Sequence, residues 1–174
     1  MLELLAPAGS MDALKAAVQN GANAVYLGVG AFNARQSAKN FTPQTLAEAV
    51  KYCHIRGVKV HLALNTLVSD REMGELCELI RHAATAGVDA FIVQDLGVIQ
   101  QCKKIAPHIP LHGSTQLTVH NLDGVKLCAA WGMTRVVLSR ELSRDEIRYI
   151  CANSPIEIEV FGHGALCMGY SGQC

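Results

Sequence analysis

Two cysteines, Cys167 and Cys174, stand with six residues between them in the stretch Gly162-His-Gly-Ala-Leu-Cys167-Met-Gly-Tyr-Ser-Gly-Gln-Cys174. Four of those thirteen residues are glycine. Glycine lets a backbone fold tightly round a ligand, and a thiolate is a strong metal donor. The spacing matches neither zinc-finger nor ferredoxin patterns, and a tetrahedral or cluster site needs two further ligands. The other five cysteines, Cys53, Cys77, Cys102, Cys128 and Cys151, fall in segments of helical periodicity, most of them on or beside the apolar stripe. They read as small buried hydrophobes.

A second set of polar residues is scattered along the chain at intervals that follow short apolar runs. Asn65, Asp95, Gln116, Glu159 and His163 are the candidate catalytic groups, and Arg35, His112 and Arg140 the candidate substrate-binding groups. A guanidinium binds carboxylate or phosphate through two N–H groups at once, so Arg35 and Arg140 suit an anionic substrate. Each has a plainer reading. Asp95 stands where a helix N-cap belongs, Asn65 could satisfy loop backbone, and Arg140 with Glu141 could be a surface ion pair. No His-Glu-x-x-His or Gly-x-Ser-x-Gly motif occurs, which removes two common hydrolase designs. His163 and Cys167 could form a Cys–His pair, but no group evidently orients the histidine.

The elements that must position these groups repeat. Gly21, Gly57, Gly87 and Gly132 each follow a helical segment and precede an apolar run. Glycine just past a helix supplies its left-handed cap, and the apolar run reads as a buried parallel strand. Ser10, Thr42, Ser69, Asn121 and Ser143 stand at helix starts, Pro43 at a first helical position, and Ser143-Arg-Asp-Glu146 has capping-box spacing. The spacing predicts strands near 3–6, 24–28, 59–64, 90–94, 110–114, 135–139 and 156–161. Helices are predicted near 11–20, 43–56, 70–86, 95–106, 121–131 and 143–153. Strict alternation implies a parallel sheet with helical crossovers. A doubly wound sheet competes, but Ala6-Pro7-Ala8-Gly9-Ser10 after the first strand is not its phosphate fingerprint. The expected class is an α/β, incomplete TIM-like (β/α) barrel of seven strands and six helices, the eighth strand missing. In that class chemistry gathers at the carboxyl ends of the strands, where every polar candidate falls. Residues 1–174 are then expected to be the N-terminal part of a barrel catalytic domain, cut within the cysteine-rich loop.

Half of the 174 residues are hydrophobic and 17% are charged, enough apolar material for a large core. Fifteen basic residues balance fifteen acidic ones, so no long-range field draws the chain to nucleic acid or anionic membrane, though a local patch could still serve RNA. No stretch is long enough for a membrane span, and the start lacks a signal-peptide pattern. Scattered cysteines, odd in number, favour a reducing, cytoplasmic setting. Unpaired edges on the first and last strands would favour a homo-dimer.

The segments Leu4-Leu-Ala-Pro-Ala-Gly-Ser10, Gly21-Ala-Asn-Ala-Val-Tyr-Leu-Gly28, Asn33-Ala-Arg35, Asn40-Phe41 and His112-Gly-Ser-Thr-Gln116 are familiar together. So are Arg135-Val-Val-Leu-Ser-Arg-Glu-Leu-Ser143, Glu159-Val-Phe-Gly-His-Gly-Ala-Leu-Cys167 and Ser171-Gly-Gln-Cys174. With them the chain resembles the collagenase-like U-32 peptidase family from end to end. The resemblance implies a barrel-like region and one of two activities. Several members are iron–sulfur proteins that support hydroxylation without molecular oxygen, on a tRNA wobble uridine, a ribosomal RNA cytidine or a ubiquinone precursor. Prephenate is the oxygen source of, or is linked to, the tRNA and quinone members. It also implies a [4Fe–4S] cluster on four cysteines, with Cys167 and Cys174 matching the first two. The other two belong to a later Arg-Gly-x-Cys…Pro-Cys-Arg segment that these residues lack. The expected function is oxygen-independent hydroxylation or modification of tRNA or rRNA. A peptidase is the first alternative and a non-catalytic binding module the second.

Overall fold

The computed structural model describes residues 2–34, 40–164 and 167–173. They fall into two compact units, one ending at Ile109 and the other starting at Pro110. The first unit alternates β1 (Leu5–Pro7), α1 (Met11–Gln19), β2 (Ala24–Gly28), α2 (Pro43–His54), β3 (Lys59–Leu64), α3 (Met73–Ala86), β4 (Ala90–Val93) and α4 (Leu96–Ile105). The second holds β5 (Leu111–Gly113), a 3-10 turn (Thr115–Leu117), α5 (Leu122–Ala130), β6 (Arg135–Val137), α6 (Arg144–Asn153) and β7 (Glu157–Glu159). Every paired strand is parallel, β1 to β4 in order in the first unit and β5 to β7 in the second. This is the expected class: seven parallel strands and six helices in strict alternation.

Local chemistry explains the punctuation. The four repeat glycines all have positive φ, and Gly87, at 85°, is the C-cap of α3. A side chain there would cost the left-handed penalty. Thr42 and Ser143 both close capping boxes, with Thr45 and Glu146 reaching back to the cap N–H. Ser10 and Asn121 also accept helix N–H groups as expected.

Ser69 behaves differently. Helix α3 starts at Met73, three residues later than the predicted start, and its N-cap Glu72 makes no side-chain cap. The N–H of Glu72 goes to the Ser69 carbonyl, closing a turn, and Ser69 instead donates its N–H and hydroxyl to the Glu72 carboxylate. Five strands are also displaced or shortened, β4, β5 and β6 by one or two residues. β1 is Leu5–Pro7, and Leu4 before it gives its N–H to the Asn23 side chain and accepts at its carbonyl from the N–H groups of Asn23 and Ala24. β7 is Glu157–Glu159, with Val160 and Phe161 exposed beyond it.

Strand faces follow the two-residue period. In β3, Val60, Leu62 and Leu64 share one fully buried face, and α2 buries Leu46, Ala49, Val50 and Cys53. Each of the buried Val and Leu side chains contributes on the order of 2 kcal/mol by burial. In the second unit His112, Arg135 and Glu157 are register partners across β5, β6 and β7, so one sheet face is polar there. Gly113 lies on the opposite face, where an added Cβ would stand 3.0–3.1 Å from Met133, Leu117 and Val136.

Candidate functional site

In the first unit, the polar residues at strand ends tie loops down. Asn33 is 2% exposed and donates to the Gly30 carbonyl. Its amide fills the space beside Gly28, where any Cβ would come within 2.4 Å of it. Asn65, after β3, accepts the N–H of Ala34 from the preceding strand's loop at 3.0 Å. Asp95, after β4, repeats this. Oδ1 caps α4 by accepting from Gly97 and Val98 at 2.7 and 3.0 Å, and Oδ2 accepts from Val68 of the preceding loop at 3.3 Å. Both candidates thus have backbone roles. Arg35 lies outside the described residues.

In the second unit two of the candidates, Arg140 and Gln116, meet the cysteine loop. The Ser114 hydroxyl accepts the Gln116 N–H and opens the 3-10 turn. Thr118, which follows it, takes a left-handed φ of 59°, and among the described residues no other non-glycine residue does so. Gly172 packs directly on this segment. A Cβ there would lie 2.1 Å from Thr118 Oγ1 and 2.7 Å from the Gln116 carbonyl oxygen. The neighbouring Ser171 is 1% exposed. Its hydroxyl accepts from the backbone N–H of Arg140 at 3.1 Å and from Arg140 Nε at 3.3 Å. Ser171 gives its own N–H and hydroxyl hydrogen to Glu141 Oε1, at 2.9 and 3.2 Å. Arg140 Nη2 donates to the Gly169 carbonyl at 3.2 Å. Arg140 and Glu141 are therefore partners of the loop, where the sequence offered an ion pair between them. The remaining Glu141 oxygen lies 3.2 Å from His120 Nε2.

Burial opposes ionisation of Glu141, but the hydrogen bonds from Ser171, its own backbone N–H and the charge of His120 outweigh it. Its carboxyl is held below the usual carboxylate range. Nearby, the hydroxyls of Ser139 and Thr115 are buried with no hydrogen-bond partner among the described residues. His112 is buried on β5. Glu159 belongs to a separate group. Arg135, 9% exposed, donates Nε and Nη2 to Glu157 Oε2 at 2.9 and 2.6 Å and lies 3.5 Å from Glu159 Oε2. His163 is exposed.

The cysteines sort by environment. Burial pushes the Cys53 thiol up to about 11 and the Cys102 thiol up to about 12, and also raises Cys128. Such thiols are poor donors to a metal at neutral pH. Cys167 is exposed on the anchored loop. Cys174 lies outside the described residues. Among the described residues no group of three or more His, Cys, Asp or Glu side chains is placed to hold a metal. Sequence reasoning missed His120, Ser171 and Arg135. Each acts through a partner 21 or more positions away, as with His120 and Glu141 or Ser171 and Arg140. Cys151 also departs from the buried expectation, being exposed on α6.

Family likeness extends over the anchored glycine–cysteine loop: the model of peptidase family U32 matches residues 9–174. The chain belongs to peptidase family U32. It is 40% identical over 99% of its length to the tRNA hydroxylation protein P1 of Bacillus subtilis, covering 41% of that protein. It is 42% identical over 99% of its length to the 23S rRNA 5-hydroxycytidine synthase of Escherichia coli, covering 26% of it. The chain thus spans less than half the length of these curated relatives. Among solved structures, a U32 peptidase superposes with a TM-score of 0.73 at 14% identity, over 92% of this chain and 68% of that one. That likeness supports the fold class of an incomplete TIM-like barrel. No helix among the described residues is long and apolar enough to cross a membrane.

Proposed function

We propose that this U32 chain carries part of the site of an iron–sulfur-dependent, oxygen-independent hydroxylation protein acting on a pyrimidine of tRNA or rRNA. Prephenate-dependent 5-hydroxylation of a tRNA uridine is the model case. One observation carries the reading: the loop bearing Cys167 is clamped through Ser171 and Gly172 while Cys167 is an exposed residue. That arrangement fits a metal ligand, since it fixes the backbone and keeps the residue at the surface. It does not fit a packing role, which Cys53, Cys102 and Cys128 illustrate. Cys167 and Cys174 would supply two thiolates of a [4Fe–4S] cluster, the remaining two coming from outside these residues. When bound, the cluster supplies one-electron transfer. The names of the relatives, a tRNA hydroxylation protein and an rRNA hydroxycytidine synthase, support RNA as the target.

The residues of this chain would then hold and orient. Arg140 fixes the loop with Nε and Nη2, and Nη1 makes no hydrogen bond to a described residue, which leaves it to meet an anion such as a carboxylate or phosphate. Arg35 and His112 are proposed to bind the same substrate. Asn65, Asp95, Gln116, Glu159 and His163 remain proposed contributors to the chemistry, Asn65 and Asp95 by holding loops. The proposed setting is cytoplasmic, with self-association through sheet edges. The test is mass spectrometry of nucleosides from tRNA and rRNA of cells with and without the full-length protein. A hydroxylated pyrimidine should vanish without it. Unchanged nucleosides, together with hydrolysis of gelatin by a colourless purified protein, would establish the peptidase instead.

A further inference from the structure

We propose that Glu141, gripped between His120 and Ser171, is the positioning residue that seats the cysteine loop on the ends of β5 and β6. The proposal rests on the reading of Cys167 and Cys174 as metal ligands, because only then does the position of the loop matter to function.

The geometry is specific. Glu141 turns its two oxygens to different partners. Oε1 takes the N–H and hydroxyl of Ser171, and Oε2 faces His120 Nε2. The other ring nitrogen of His120, Nδ1, lies 3.0 Å from the Thr118 carbonyl oxygen. A carbonyl and a carboxylate can only accept, so both ring nitrogens face acceptors. A neutral imidazole has one N–H and would aim a lone pair at one of them. The imidazolium donates to both. The Glu141 carboxyl itself is held below the ordinary value. The other charged groups here are Glu146 of α6, close enough to feel the imidazole, and Arg140, which shares Ser171.

Thr118 connects the two halves of the grip. Its left-handed backbone presents a carbonyl to His120, and its side chain lies under Gly172. Thr118, His120, Glu141 and Ser171 thus form one chain of contacts from the end of β5 to the loop.

The experiment is hydrogen–deuterium exchange at the Ser171 amide of the full chain, expressed as a protection factor at one neutral pH. Glu141→Ala and His120→Ala should each lower protection roughly tenfold. In Glu141→Gln the amide oxygen still accepts from Ser171, so protection should stay close to wild type. Protection in Glu141→Ala or His120→Ala equal to wild type, or in Glu141→Gln as low as in Glu141→Ala, would overturn the proposal. Iron per chain, measured in Cys167→Ala in parallel, separates the two readings. Iron retained there removes the ligand assignment on which the proposal rests. Iron lost there, with Glu141→Ala protection equal to wild type, removes the grip and leaves the ligands standing.

Discussion

Gly172 shows how one residue decides whether the cysteine loop can dock. Its φ of 77° is left-handed, and its missing side chain makes room for Thr118 and the Gln116 carbonyl. Gly172→Ala meets both penalties. It should weaken loop docking by about 2 kcal/mol or more, read as faster proteolytic cleavage between residues 162 and 174. Gly164 has nothing within 4 Å of an added Cβ, so Gly164→Ala should leave cleavage unchanged. Equal cleavage of the two variants would show that Gly172 is not a contact. The thiols give a second prediction at this scale. Cys151 and Cys167 are exposed, and Cys102 is buried with its thiol raised to about 12. A thiol reagent at pH 8 should label the first two in the folded chain and Cys102 only after denaturation. Fast native labelling of Cys102 would show that its burial is wrong.

Strand ends and helix starts are the elements on which position depends. Asp95 both caps α4 and holds the loop after β3. Asp95→Ala should cost about 1–2 kcal/mol, seen as a lower Tm, while Asp95→Asn should recover most of it. If Asp95→Asn is as stable as wild type and still inactive, Asp95 takes part in the chemistry as well. Acid should act on the helix starts. Hydrogen bonds from the Ser143 hydroxyl and N–H lower the Glu146 carboxyl, and Ser69 does the same for Glu72. A depressed carboxyl contributes stability above its ordinary range that is lost as pH falls through the folded value. Glu146→Gln should therefore show a shallower acid-side fall in Tm than wild type, and an unchanged slope would refute the assignment. These elements were the legible part of the sequence. Glycine caps, Ser143-x-x-Glu146 and Thr42-Pro43 act within one turn, so local pattern reveals them. Ser69 misled because the N–H of Glu72 chose a carbonyl over the hydroxyl, which spacing alone does not show.

The whole molecule is a set of βα units whose register the sequence implied and whose functional contacts it mostly hid. Strand positions 24–28 and 59–64 were readable because apolar runs behind a glycine are unambiguous. The polar candidates at strand ends were readable as positions, but not as partners. Arg140 and Glu141 met over Ser171, 31 and 30 residues away, and Arg135 met Glu157 on the neighbouring strand. Such contacts depend on register and loop path, and a left-handed Thr118 has no sequence signature. The proposed function depends on the anchored loop and on the proposed role of its cysteines as ligands. Its most direct test is iron and acid-labile sulfide per chain in the full-length protein purified without oxygen, wild type beside Cys167→Ala and Cys174→Ala. The wild type should carry iron and sulfide in equal amounts, and each variant should lose them. A wild type without iron, or variants that keep it in full, would contradict the account.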